Sequence, residues 1–250
     1  MRLSSLAQGK GAHLSFVHGF TQTAQSWTPV IRKLSDNFTC TIVDAPGHGN
    51  STDGHLSLQE CGDAIAETIP KGTLVGYSMG ARMALHAALQ HPEHIERLVL
   101  ISGTPGIETE AERLSRITSD NTLADHIETV GVHQFIEEWL SNSLFSGLSR
   151  EMAQIDERVK NRASGLAASL RFAGTGTQKP LWTELHQLQM PVLIVVGEDD
   201  DKFVSIGQRM AAAISHSTFE IIRHAGHTAH LEQVDVFVDT LVTWLQSTKS

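Results

Sequence analysis

Thr73-Leu74-Val75-Gly76-Tyr77-Ser78-Met79-Gly80-Ala81-Arg82-Met83-Ala84-Leu85-His86-Ala87-Ala88-Leu89 is the stretch on which the reading of this chain turns. A short apolar run, Thr73 to Val75, leads into Gly76-x-Ser78-x-Gly80, and a run of helix-forming residues from Arg82 to Leu89 follows. A serine thrust out at a sharp strand-to-helix turn needs small residues two before and two after it, because a larger side chain would collide with the folded-back chain. The five residues are therefore read as a nucleophile elbow. Without its flanks the pentapeptide would be only a glycine-rich turn with an incidental serine.

Around the elbow, short apolar runs alternate with longer amphipathic ones. Leu14 to Val17, Cys40 to Val43, Thr73 to Val75, Leu98 to Ile101, Val192 to Val196 and Phe219 to Ile222 read as buried strands. Between them lie segments of helical length, one opening on Ser57-Leu58-Gln59-Glu60, where Ser57 and Glu60 have capping-box spacing. Such alternation predicts an α/β fold, a mostly parallel sheet with helices on both faces. The rhythm breaks once, between Ile101 and Val192, where only helix-like pieces occur: Ala111 to Arg116, Thr122 to Val130, His133 to Leu140 and Gln154 to Leu170. The expected organisation is thus a core from residues 1–105 and 189–250 with a helical cap, 106–188, inserted over the strand ends where open α/β sheets bind ligands.

Composition narrows the function classes. A chain of 250 residues suits one enzyme-sized unit. Its formal charge of -9 argues against nucleic acid as a partner, since phosphate binding wants a basic surface. No stretch has the apolar length of a membrane span, and Met1 to Ala7 lacks the apolar core of a secretory signal, so no membrane association and a cytoplasmic location are expected. Cys40 and Cys61 are too few for a disulfide scaffold and read as small core residues.

A serine needs a base and an orienting acid, expected downstream in the order acid, then histidine. After the strand ending at Val196 comes Gly197-Glu198-Asp199-Asp200-Asp201-Lys202-Phe203, and after the one ending at Ile222 comes His224-Ala225-Gly226-His227-Thr228-Ala229-His230. Asp200 is the expected acid, because a Gly-x-x-Asp turn lets its side chain curl back over the sheet edge; Asp199 and Asp201 remain rivals. His227 is the expected base, because Gly226 permits a tight turn toward the serine. His224, His227 and His230 also have a spacing that three metal ligands could share, but no recognised metal motif accompanies them, and no metal is expected. Phe16-Val17-His18-Gly19-Phe20 leaves a strand with a glycine that lets amides converge, so the backbone N–H groups of Phe20 and Met79 are the expected oxyanion hole.

His18-Gly19-Phe20, Asp44-Ala45-Pro46-Gly47-His48-Gly49, Gly76-Tyr77-Ser78-Met79-Gly80 and Gly226-His227 together resemble the α/β-hydrolase superfamily over essentially the whole chain. Within it the chain resembles the 2-succinyl-6-hydroxy-2,4-cyclohexadiene-1-carboxylate synthases of menaquinone biosynthesis. The narrower likeness rests on Trp27, Arg82, Asp200-Asp201-Lys202-Phe203, Ala229-His230-Leu231-Glu232 and the cap residues Glu112-Arg113, Asp120, Phe135, Trp139, Leu144-Phe145, Gly165 to Arg171 and Gly174-Thr175-Gly176. That resemblance implies a lyase that eliminates pyruvate from 2-succinyl-5-enolpyruvyl-6-hydroxy-3-cyclohexene-1-carboxylate. Ser78 would act as base rather than nucleophile, and no metal or organic cofactor would be needed. It implies a small carboxylated substrate held by Arg82, with Arg113 as a second clamp from the cap, Arg171 as a weaker candidate, and Tyr77 and Trp139 as pocket aromatics. A monomer or weak homo-oligomer is expected.

Arg82 has support of its own: a cation in the first turn of a helix faces the positive end of the macrodipole, so something should offset the cost. A substrate carboxylate and an ion pair with a neighbouring Asp or Glu serve equally well. Arg113 reads equally as part of a solvated helix face, and Tyr77 and Trp139 as packing. A carboxylesterase or carbon–carbon hydrolase with Ser78 as nucleophile, and a ligand-binding module without catalysis, compete with the lyase; paired arginines under a cap favour the lyase, and the complete Ser-His-Asp set counts against the module.

Overall fold

The computed structural model describes residues 1–51 and 54–248. Seven strands among them form one sheet in the order β1-β3-β2-β4-β5-β6-β7: β1 Ser5–Gly9, β2 Ala12–Val17, β3 Phe38–Val43, β4 Gly72–Tyr77, β5 Ile95–Ile101, β6 Val192–Gly197 and β7 Ser217–Ile222. From β3 to β7 every neighbouring pair is parallel, and β1 alone runs antiparallel, along β3. All six expected strands are present with longer ends. β1 is an addition that the sequence pattern does not announce, because every residue of Ser5-Leu6-Ala7-Gln8-Gly9 is exposed and only its ladder to β3 holds it.

Helices α1 Thr28–Leu34, α2 Leu58–Thr68, α3 Met79–Gln90, α8 Asp201–Ala213 and α10 Val234–Ser247 cover the two faces of the sheet, with the short α9 Ala229–Glu232 preceding the last of them. Strand side chains alternate between them, which is why the central strands read as unbroken apolar runs. Leu74, Leu98 and Ile194 join one core cluster with α2, α3 and α8; Val75, Val99 and Val195 join the other with α1 and α10. The capping box at the start of α2 forms as its spacing predicts, Ser57 accepting from the Glu60 amide while the Glu60 side chain accepts from the Ser57 amide.

Over the carboxyl ends of the strands lie α4 Glu110–Leu140, α5 Arg150–Ala153, α6 Ile155–Arg158 and α7 Ala163–Ala173. The first three expected cap pieces are parts of α4, which bends at Gly131, where φ of 79° and ψ of 168° break the helical path. The expected helix from Gln154 to Leu170 is instead two helices. Its interruption falls where the Asn161 side chain donates to the carbonyls of Thr21 and Arg158 and accepts from the Gly49 amide, side-chain bonding that competes with helical pairing. Ala124, Ile127, Phe135, Ile136, Leu166, Ala167 and Leu170 give this layer a small core of its own. Leu181, Leu185 and Leu188 pack into the main core, so by packing the covering layer consists of α4 to α7.

Candidate active site

Ser78 occupies the junction of β4 and α3 at φ 52° and ψ −106°, a conformation that costs a side-chain-bearing residue about 1–3 kcal/mol and persists only when its surroundings enforce it. The glycines explain how. A Cβ on Gly76 would stand 2.4 Å from the Gly80 carbonyl oxygen, and one on Gly80 would stand 2.2 Å from that of Val17. Only with both side chains absent can the chain reverse tightly enough to present the hydroxyl, and the Ser78 amide, bonded to the Ile101 carbonyl at 2.8 Å, ties the turn to β5.

The carboxyl ends of β6 and β7 bring the other two groups. His227 Nε2 lies 3.0 Å from Ser78 Oγ and Nδ1 lies 2.6 Å from Asp200 Oδ2, both partners of the imidazole being buried or nearly so. An ionised carboxylate only accepts, so Nδ1–H donates to Asp200 and the bare Nε2 is left to accept from the Ser78 hydroxyl. Asp199 and Asp201, the rivals, are exposed. Glu232, to which the sequence pattern gives no role, braces the histidine turn by accepting from the amides of Gly226 at 2.8 Å and Thr228 at 3.0 Å. The other two histidines of the trio do not converge with His227. His224 sits on an exposed turn, whereas His230 is packed between Tyr77 and Trp27 with ring centroids 4.4 and 4.6 Å away. Burial pushes the His230 pKa down to about 3. Among the described residues no group of three or more His, Cys, Asp and Glu could hold a metal ion.

Phe20 and Met79, the expected oxyanion-hole residues, border the same cavity as Ser78. The loop carrying Phe20 is fixed from several sides. Its neighbour His18 is buried and neutral, its pKa lowered to about 4 chiefly by desolvation; Nδ1–H donates to the Gly19 carbonyl and Nε2 accepts from the Ala45 amide. The Gln22 side chain accepts from the Gly19 amide at 2.9 Å. From the covering layer, Asn161 donates to the Thr21 carbonyl and the Arg158 guanidinium to the Thr21 hydroxyl.

The cavity in front of Ser78 measures about 570 Å³. Among the described residues, Arg82, Arg116, Arg158 and Lys202 stand on its wall against a single carboxylate, Asp120. Arg82, 7% exposed, donates to the Ala173 carbonyl at 2.9 Å, and no carboxylate among the described residues pairs with it, which removes the ion-pair reading left open by the sequence. Burial, helped by the positive charge of Arg116, lowers its pKa to about 10. Arg158, 2% exposed, donates to the Ala153 carbonyl and to Thr21, likewise with no carboxylate, and burial lowers it to about 10. Two buried guanidiniums without a carboxylate partner among the described residues thus stand on one cavity wall, an arrangement whose burial cost an anionic ligand would offset.

The other expected site residues divide. Tyr77 and Trp139 border the cavity: Tyr77 supports the His227 ring at 5.5 Å, and Trp139 packs on Phe20 at 5.4 Å. Arg113 and Arg171 do not reach it, and the expectation of clamps there is corrected. The Arg113 guanidinium is turned back onto the carbonyls of Ile107 and Glu108, and Arg171 is pinned on the outer surface by Asp125 and Glu128. Arg116 and Arg158 line it instead. Arg116 lies three residues beyond Arg113 on the same helix, so helical spacing does not separate the two. Arg158 was legible only as one of several basic residues around the break between α6 and α7.

Residues 16–240 match the alpha/beta hydrolase family. A provisionally named 2-succinyl-6-hydroxy-2,4-cyclohexadiene-1-carboxylate synthase of Bacillus subtilis is 38% identical over 92% of this chain and 89% of its own length. The 2-succinyl-6-hydroxy-2,4-cyclohexadiene-1-carboxylate synthase of Salmonella arizonae is 32% identical over 93% of both chains. The solved structure of MenH from S. aureus superposes with a TM-score of 0.90 at 31% identity, covering 98% of this chain and 99% of that one. No helix among the described residues is long and apolar enough to cross a membrane.

Proposed function

This chain belongs to the alpha/beta hydrolase family and, within it, to the 2-succinyl-6-hydroxy-2,4-cyclohexadiene-1-carboxylate synthases, and from that membership we propose how its cavity eliminates pyruvate from 2-succinyl-5-enolpyruvyl-6-hydroxy-3-cyclohexene-1-carboxylate, with the cytoplasm as its place of action. The observation that carries the reading is the pair of buried guanidiniums, Arg82 and Arg158, which line the cavity of Ser78 without carboxylate partners among the described residues. Burying a charge without a partner is costly, and a hydrolase of neutral esters gains nothing from it. A substrate with several carboxylates supplies the missing anions, and Arg116 offers a third cation from the covering layer.

Ser78 is the base. Its oxygen takes the ring proton beside the succinyl carbonyl while its own proton passes to His227 Nε2, 3.0 Å away. Asp200, 2.6 Å from Nδ1, stabilises the imidazolium that forms. The electron pair of the broken C–H bond runs onto the succinyl carbonyl, whose negative oxygen is received by the Phe20 and Met79 amides, a donor pair of which each member is worth about 3–4 kcal/mol of barrier in such sites. Collapse of that charge forms the conjugated ring diene and breaks the C–O bond to the enolpyruvyl group, which leaves as pyruvate enolate and takes up a proton. No acyl-enzyme forms.

The test supplies purified protein with the enolpyruvyl substrate and follows pyruvate through a coupled dehydrogenase, beside a nitrophenyl ester. Rapid pyruvate release with feeble ester cleavage is the expected result. Fast ester cleavage without pyruvate would make Ser78 a nucleophile and overturn the lyase reading.

A further inference from the structure

Among the described residues Asp120 is the single Asp or Glu on the cavity wall, and the mechanism above gives it no task. An acid among cations that receive carboxylates weakens ligand binding by like-charge repulsion unless it does something else. It is 4% exposed, its Oδ1 accepts from Arg116 Nε at 2.7 Å, and its Oδ2 is buried without a hydrogen-bond partner among the described residues.

Arg116 depends on that contact. It stands one turn before Asp120 on α4 with its side chain 41% exposed, and among the described residues it makes no other hydrogen bond. An unanchored arginine on such a face samples many rotamers in water, and all of that freedom must be lost when a ligand is bound. Because Asp120 engages Nε, the two terminal nitrogens of the guanidinium stay available for the parallel two-point contact that a carboxylate makes. The same negative charge offsets the repulsion of Arg116 on Arg82, which projects into the cavity from α3. We infer that Asp120 is a positioning residue that fixes Arg116 toward the cavity with its terminal nitrogens free. One cation from the covering layer and one from the core are thereby preset for a ligand carrying two carboxylates.

The inference rests on the proposed pyruvate elimination and is tested by kinetics of wild type, Asp120→Ala, Asp120→Asn, Arg116→Ala and the double variant Asp120→Ala/Arg116→Ala. Asp120→Ala should raise KM about tenfold or more while kcat stays within about threefold, since preorganisation of a binding group is lost and the reacting groups are untouched. Asp120→Asn, whose amide oxygen still accepts from Nε, should recover much of that loss. The double variant should be no worse than Arg116→Ala by more than about twofold, because both changes remove one interaction. Losses that multiply, a KM unchanged in Asp120→Ala, or a fall in kcat alone each overturn the inference. If Asp120→Ala fails to fold, the same cycle is run with Asp120→Leu, which is close in size and cannot accept from Nε, and additivity there overturns it equally. A wild type that releases no pyruvate overturns the elimination reading and this inference together, whereas an active wild type with additive losses overturns the inference alone.

Discussion

Replacing Arg82 by Met should make the protein no less stable, and by most of the balance more stable, while removing most of its activity. The folded state lowers the pKa of this guanidinium from 12.5 to about 10, with desolvation the leading cause. At neutral pH, below both values, the charged form carries the full penalty, which would fade only as pH rose through the range between them. At about 1.4 kcal/mol per unit the penalty is about 3 kcal/mol. Methionine keeps an apolar chain of similar reach in the site but loses the bond to the Ala173 carbonyl, a charged hydrogen bond worth about 1.5–3 kcal/mol. The net is a gain between zero and about 2 kcal/mol, or a rise in Tm of up to a few degrees for a chain of this size. Removing one member of a buried charge pair costs about 2–5 kcal/mol of binding, so kcat/KM for the carboxylated substrate should fall by about 30-fold or more. Thermal melts and pyruvate-release kinetics on the same preparation, with a neutral ester as control, measure both sides. If Arg82→Met lowers Tm and loses activity on carboxylated and neutral substrates alike, the guanidinium is a structural tie between α3 and the Ala173 carbonyl, and the anion-site argument fails.

Three further results are expected. Asp200→Asn should reduce kcat by about 10³–10⁴-fold, because the amide no longer stabilises the imidazolium and allows the wrong tautomer, whereas Asp199→Asn and Asp201→Asn, on exposed side chains, should keep most of it; any other ranking in steady-state assays removes Asp200 from its role. Arg113→Ala and Arg171→Ala should leave KM within about twofold, since both guanidiniums are engaged outside the cavity; a rise of tenfold in either would return it to substrate binding. His230, held neutral with its pKa lowered from 6.5 to about 3, contributes stability that is present above pH 6.5 and is lost as pH falls toward 3, because the unfolded chain takes up the proton first. His230→Phe, sandwiched between the same two rings, should therefore lose about 2 kcal/mol less than wild type between pH 8 and pH 5 in urea melts, and parallel curves for the two proteins would refute the assignment.

What the sequence determined by itself is what short-range sterics and periodicity enforce. Gly76 and Gly80 are legible as an elbow because the clash that excludes a side chain there arises within one turn of chain and the strand beside it. Strands buried on both faces show as unbroken apolar runs, so β2 to β6 could be read, and β7, buried only at Ile222, showed by its apolar Phe219, Ile221 and Ile222, while β1, which buries nothing and is held by its ladder alone, could not. Asp200 and His227 were legible because each follows a readable strand, and parallel strands deliver their carboxyl ends to one edge of the sheet. Tertiary structure alone decided which cations face the cavity. Arg113 and Arg116 share a helix three residues apart, and Arg171 and Arg158 share the covering layer. What selects Arg116 and Arg158 is the way α4 to α7 sit on the core and where the carbonyls and carboxylates that capture a guanidinium happen to fall. Thr21, which holds Arg158, and Asp125 and Glu128, which hold Arg171, are distant in sequence, while the carbonyls that hold Arg113 and the carboxylate that holds Arg116 are local but follow no pattern that tells the two arginines apart; an arginine with many rotamers takes its direction from such partners rather than from its own position in the chain.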